Sequence, residues 1–451
     1  MNKYPEYRQI DLPWLSEIPC QWDILRNKNV FTEMKEEVGE NSIDYTLLSL
    51  TLNGIIPRDV TSGKGKFPEK FNKYKVVKPG YMAFCLFDID ETPRTVGLSS
   101  LDGMLTGAYT IMKIDNINAR YVYYYYLALD IKKALKPLYS GLRKTININV
   151  FQGTRLPIPP QDEQEQIVNY LDWQVSKINS LIVAKKKELE CIRELKKTIV
   201  NEAVTHGLNP NVPMKFSGVD WLGDIPAHWT TIKLRQILHP FSEKNHPELP
   251  LLSVVREQGV IVRDVEDKES NHNFIPDDLS GYKMVKKGQF AMNKMKAWQG
   301  SYGISDFTGI VSPAYFIFDV DFDNLEYFHY AIRSKVYVNF FAQASDGIRV
   351  GQWDLSIKKM KEIPFIVPPA DEQRAIVEHI PVAFAKYDEA IAKLTEEVEV
   401  LHELRNKLIS DVVTGQIDVR GIEVPEFEYV EEIDDSSEDD EEADEKAVEE
   451  V

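Results

Sequence analysis

Cysteine is scarce in this chain. Cys20, Cys85 and Cys191 are the only three among 451 residues, and none stands at a CxxC or other ligand spacing. A disulfide framework and a zinc site are therefore not expected, and the sparse odd count suits a reducing cytoplasm. Long apolar runs are also missing. No window approaches 18 uninterrupted apolar residues, which excludes a membrane-spanning helix. The opening MNKYPEYRQIDLPWL has no basic stretch followed by an apolar core, so it does not read as a secretion signal. The expectation is a soluble cytoplasmic protein.

Motifs for catalysis are equally absent. No G-x-x-x-x-G-K-[ST] occurs, and SGKGK at Ser62 lacks its spacing. There is no H-E-x-x-H, the eight histidines are scattered, and no glycine-rich cofactor loop follows a strand. Two Pro-Pro pairs are followed by Gln161 and Ala370, not by the aromatic residue of an Asn/Asp-Pro-Pro methyltransferase motif. Enzymatic activity is not expected of this chain alone.

Charge is unevenly spread. The net value is -18, but residues 422–451 hold 16 Asp/Glu and one Lys, so residues 1–421 carry only -3. Such an acidic block cannot collapse on itself and reads as a disordered tail. A solubilising role is the simpler assignment, with self-inhibition or partner contact as the other. Apolar content of 43%, with 20 Phe, 21 Tyr and 7 Trp, supports real cores elsewhere.

What the chain does have is repetition. PPQDEQEQIV from Pro159 returns as PPADEQRAIV from Pro368, with seven identities in ten positions at an offset of 209. WLSEIPCQW from Trp14 returns as WLGDIPAHW, and LLSLTLNGIIPRDV from Leu47 as LLSVVREQGVIVRDV from Leu251. YKVVKPGYMA from Tyr74 matches YKMVKKGQFA from Tyr282, and SGLR ending at Arg143 matches DGIR ending at Arg349. A period this long means two copies of one domain rather than a solenoid.

Within each copy, short β-rich runs such as YTLLSLTL and KVVKPGYMAFCLF are broken by Gly, Pro and Asp, and a helical stretch lies near Tyr121 to Leu135. The fold class expected is α+β. The YVYYYY cluster from Tyr121 is expected to pack in a core rather than stack on bases.

The prolines end each domain, because they hold the backbone extended. Asp162 and Asp371 are then expected to cap helices, with Glu163 and Glu372 in the positive first turn. Apolar residues follow at alternating spacings of 3 and 4: Leu171, Val175, Ile178, Ile182, Leu189, Ile192, Ile199 and Ala203 in the first helix. Ile380, Phe384, Tyr387, Ile391, Leu394, Val398, Leu401, Leu408 and Val412 form the second set. These are coiled-coil seams, interrupted by Lys185, Lys196 and Arg405. Pro381 is expected to kink the second helix. The first helix would run roughly 66 Å at about 1.5 Å per residue, and Gly207 with Asn209-Pro210 ends it before the second domain. The two helices are expected to pair antiparallel.

The boundaries expected are a first domain at 1–160, a spacer helix at 161–208, a second domain at 211–370, a second spacer helix at 371–416 and the acidic tail at 422–451. The first copy has 21 Lys/Arg against 17 Asp/Glu and the second 18 against 19. Neutral averages can hide a basic face that meets phosphates. Candidate DNA-binding residues are Gly141, Arg143 and Lys144 in one basic loop and Arg349 in its repeat, joined by Lys64, Lys66, Lys294 and Lys296. Glycine permits close approach, and arginine can grip a phosphate or read guanine bidentately. A surface arginine paired with an acid is the competing assignment for the loops, and a solvated face for the lysines.

In the order W-L-x-x-I-P-x-x-W, G-[LI]-R, P-P-x-D-E-Q-x-x-I-V and long helix, occurring twice, the chain resembles the specificity (S) subunits of type I restriction-modification systems. The resemblance covers residues 1 to about 421. It implies two target recognition domains that read the halves of a split site in double-stranded DNA, held apart by helical spacers. It further implies two methyltransferase (M) subunits and restriction (R) subunits as partners, with AdoMet, ATP and magnesium held by those partners rather than by this chain. The alternative function is a protein-interaction scaffold with repeated domains and no DNA specificity.

Overall fold

The β-rich runs form short antiparallel strands, several of them buried along their whole length, as Leu48–Thr51 and Gly103–Leu105 are, and Gly, Pro and Asp breaks fall in turns between them. The computed structural model describes residues 2–58, 71–140, 144–220, 222–263, 276, 278–349 and 352–432, without the side chains of 346–349 and 352. It divides into two units, Met1–Lys187 with Leu394–Val451, and Glu188–Lys393.

In the first unit a four-stranded antiparallel sheet runs in the order Phe31–Met34, Thr110–Ile114, Tyr81–Phe84, Val96–Leu98. The second unit repeats it as Leu238–Phe241, Phe316–Val320, Phe290–Met292, Tyr302–Ile304. Four two-stranded ladders accompany each sheet in the same chain order. Among these, Asp23–Arg26 pairs with Arg155–Ile158, and Thr230–Lys233 pairs with Pro364–Val367. A shared topology is what a duplicated sequence requires. The second unit adds a hairpin of Ser345–Arg349 with Gln352–Leu355.

One helix backs each sheet. Asn118 opens Ala119–Ile131 by accepting from the amides of Arg120 and Tyr121, and Asn324 opens Leu325–Ile332 by accepting from Tyr327. Tyr121, Tyr124, Tyr125 and Tyr126 are all buried, so the tyrosine cluster is core. Their hydroxyls find partners: Tyr121 donates to the Pro157 carbonyl at 3.0 Å, Tyr124 to Asp172 at 2.7 Å and Tyr126 to Asn27 at 2.6 Å. Trp14 donates to the Tyr125 hydroxyl at 2.9 Å. The second copy keeps the first of these contacts, Tyr327 donating to the Ile366 carbonyl at 3.4 Å.

The long helices span Gln161–His206 and Ala370–Val413. They start two residues earlier than a cap at Asp162 or Asp371 would allow, so these two aspartates lie in the first turn, where the helix dipole still favours them. The second helix continues through Pro381 without a break. Each helix contributes a half to each unit, and within each unit the two halves pack antiparallel. Lys185 pairs with Glu397 in the first unit and Lys196 with Asp388 in the second. Arg405 donates to Asn179 at 2.7 Å. The polar interruptions of the seam thus meet one another's partners and set the register. Leu171, Ile182, Ile380 and Val412 are fully buried beside them.

Both helices end on glycines in the left-handed region, Gly207 at φ +77° and Gly415 at φ +74°, where other residues are strained. A side chain at Gly415 would also strike Pro19 at 2.4 Å.

Disorder from residue 422 does not hold for 422–432. This segment lies along the first helix because polar helix side chains hold its backbone: Gln166 donates to the carbonyls of Val419 and Ile422, Ser176 to Glu428 and Asn179 to Val430. The Glu432 side chain is largely covered and binds Lys186 at 2.6 Å and Arg405 at 2.5 Å. Residues 433–451 lie outside the described residues. No helix among the described residues is long and apolar enough to cross a membrane.

Candidate nucleic-acid interface

In each copy the segment that follows the G-[LI]-R motif in sequence is bonded to the segment that follows the central strand Tyr81–Phe84 or Phe290–Met292. In the first unit the Ile146 amide donates to the Leu86 carbonyl at 2.7 Å and the Asp88 amide to the Lys144 carbonyl at 2.8 Å. In the second the Leu355 amide donates to the Lys294 carbonyl at 3.1 Å. The same crossing is therefore built twice, from residues about 209 apart.

Its chemistry differs between the copies. In the first, the crossing segment carries Asp88, Asp90 and Glu91. Lys144 is drawn onto Glu91 and onto Asp90 at 3.3 Å. Asp90 also accepts from the Tyr139 hydroxyl at 2.7 Å, and that bond, with the neighbouring lysines, holds its carboxyl well below the usual range. Lys144 thus has carboxylate partners where a free phosphate-binding cation was expected. Gly141, Arg143, Lys64 and Lys66 lie outside the described residues.

In the second copy the crossing segment is NKMKAW. Lys294 pairs with Asp354 at 2.9 Å, while Lys296 is exposed. The hairpin that contains Arg349 pairs it with Gln352 through the backbone. Trp298 and Trp353 stand with ring centroids 5.0 Å apart at 47°. The structure thus gathers Lys294, Lys296 and the Arg349 hairpin around a pair of partly exposed indoles. Cations beside aromatic faces suit contacts to phosphates and bases. Sequence reasoning passed over the tryptophan pair, although Trp298 ends the very basic run it singled out; Trp353 stands 55 residues away and only the fold brings them together.

Burial pushes the Cys85 thiol up to about 12 and the His329 imidazole down to about 4, the latter aided by Arg333. His329 Nδ1 accepts from the Ile304 amide at 3.2 Å, a structural role. Among the described residues no group of three or more His, Cys, Asp or Glu is placed to hold a metal.

Comparison with known proteins bears on the same region. The family model described as type I restriction modification DNA specificity domain matches residues 101–191, which include the first G-[LI]-R loop and the start of the first long helix. The type I restriction enzyme MjaVIII specificity subunit of Methanocaldococcus jannaschii is 23% identical over 297 residues, 61% of this chain and 65% of its own length. The chain thus spans just under two thirds of that relative. The putative type I restriction enzyme MjaX specificity subunit of the same organism is 21% identical over 434 residues, 90% of this chain and 96% of that protein. In fold, the chain is similar to one in a solved structure described as the structural basis underlying complex assembly and conformational transition of the type I R-M system. The TM-score there is 0.54 at 12% identity, covering 89% of this chain and 99% of the other.

Proposed function

We propose that this chain, a specificity subunit of the type I restriction-modification family, is the non-catalytic component that reads a bipartite DNA target. Residues 1–160 read one half-site and residues 211–370 the other, while the paired helices set the separation between them. Half-sites approached from one side of the duplex are centred about one helical turn apart, roughly 34 Å. Two methyltransferase subunits and the restriction subunits dock on this chain, and AdoMet, ATP and magnesium are held by them.

The observation that carries this reading is the doubling of one topology with unlike chemistry at equivalent crossings. A homodimer-like scaffold has no use for an acidic crossing in one copy and a basic, tryptophan-bearing one in the other, whereas a reader of two different half-sites does. Gly141, Arg143, Lys144, Arg349, Lys294 and Lys296, with Lys64 and Lys66 of the earlier basic stretch, are the contacts to be tried first. Shortening both helices by matching amounts is expected to change the spacer length found by mapping methylated sites in host DNA, with half-site sequences preserved. An unchanged spacer overturns the reading.

A further inference from the structure

In the first unit, three cations converge where the domain's last strand meets its third. Arg26 and Arg155 are directly opposite each other in the ladder, and Lys28 follows in the short turn. All three are exposed. With Asn29 and the edges of Ile24 and Leu25 they line a recess of about 490 Å³ that contains no carboxylate. Among the described residues none of the three has an ion-pair partner.

Like charges facing each other across a ladder are destabilising. The duplicated domain shows how the same framework avoids this. There Lys233 and Arg235 stand at the positions of Arg26 and Lys28, and Pro364 replaces Arg155. Glu362 binds both, contacting Lys233 and reaching Arg235 at 2.8 Å. The residue equivalent to Glu362 is Gly153, which supplies no charge. One copy thus pairs its two cations with an internal acid, and the other lacks the acid and carries a third cation.

We propose that Arg26, Lys28 and Arg155 form a phosphate-binding recess that grips the DNA backbone from the first domain only. The proposal rests on the DNA-reading function, and deepens it by assigning a sequence-independent contact apart from the G-[LI]-R crossings. Three clustered cations without a counter-ion match successive phosphodiesters, and contacts of this kind position a reader without choosing bases. The contact also makes the two halves unequal in salt dependence.

The test uses the full chain in its complex, bound to duplex carrying the mapped target over a range of salt. Each phosphate contact contributes about 0.9 to the slope of log K against log salt, so R26A/K28A/R155A is expected to flatten that slope by roughly 2 to 3. Gly153→Glu restores the acid of the other copy. Nothing beyond its chain neighbours lies within 4 Å of a Cβ placed there, so the variant is expected to fold and to flatten the slope in the same direction. Glu362→Gln releases Lys233 and Arg235 and is expected to steepen it. Methylated sequences stay the same in all three. An unchanged slope in the triple variant overturns the proposal. So does loss of subunit assembly with the slope intact, which assigns the recess to an acidic protein surface. If the unaltered complex gives no bipartite footprint, the DNA-reading function itself fails, and a footprint with an insensitive slope removes the recess alone.

Discussion

The Trp22 indole donates to Oε1 of Glu163 at 2.8 Å, 141 residues along the chain, and the Tyr4 hydroxyl donates to the same oxygen at 2.6 Å. Trp229 donates to Glu372 at 2.9 Å in the second copy. The last tryptophan of W-L-x-x-I-P-x-x-W and the glutamate of P-P-x-D-E-Q are thus one device, which locks the entry of each domain to the start of its helix. The neighbouring glutamines complete it, Gln164 and Gln373 each donating to the first carbonyl of their own Pro-Pro pair at 2.8 and 2.9 Å. Burial first, and Glu163 second, push the Tyr4 phenol far above its ordinary range, so it remains a donor at any physiological pH. Glu163→Ala leaves two buried donors unpaired and is expected to cost about 3 kcal/mol, measured by thermal or urea unfolding. Glu372→Ala is expected to cost less, because its side chain remains 35% exposed.

Pro381 gives the opposite sign. The helix runs through it, at the cost of one backbone hydrogen bond to the carbonyl of Val377. An interior proline costs ~3 kcal/mol, and this one is exposed, so no packing is lost on replacement. Pro381→Ala is expected to raise stability by about 1–3 kcal/mol in the same measurement.

The register pairs can be exchanged. Lys185 and Glu397 are partly exposed, at 28% and 39%, so the pair contributes only about 0.5–1 kcal/mol. Lys185→Glu alone sets two acids against each other and is expected to lower the midpoint of unfolding. Adding Glu397→Lys is expected to recover it, and a double-mutant cycle that shows no coupling contradicts the antiparallel register.

Acid should release the C-terminal segment. Burial disfavours the charged form of Glu432, but Lys186, Arg405 and His402 outweigh it and hold its pKa below the ordinary 4.5. A depressed carboxyl stabilises at pH above its unfolded value and loses that stabilisation as pH falls through its folded value. Docking is therefore expected to be full at neutral pH and to weaken below about 4.5. Hydrogen exchange at the Val430 amide, which donates to Ser176 at 2.8 Å, reports it. Glu432→Gln is expected to speed that exchange at neutral pH and to remove the pH dependence.

Much of the fold was legible because duplication writes the same pattern twice. The α+β class, the paired helices and the buried tyrosines all follow from periodicities within short windows. The Trp22–Glu163 lock was not legible, although both motifs were conspicuous, since a hydrogen bond across 141 residues leaves no local trace. The pairing of Lys233 and Arg235 with Glu362 was hidden for the same reason, as was the capture of Lys144 by Asp90 and Glu91. Composition misjudged residues 422–432, because acidic content says nothing of Val419, which is fully buried, or of helix side chains spaced to bind a passing backbone. The caps at Asp162 and Asp371 were displaced by two residues, within the ordinary uncertainty of helix ends.

The amide of Asp418 donates to the carbonyl of Asn2 at 2.9 Å, and the Tyr7 hydroxyl donates to that of Gly415 at 3.0 Å. The N-terminal segment is therefore stitched to the stretch that follows the second long helix, so the order of the halves along the gene is a convention rather than a structural necessity. A version reopened in the connector between Gly207 and Pro213, with Asp418 spliced to Asn2, keeps the tryptophan–glutamate locks and the strand ladders and gives up only the contacts of residues 419–432.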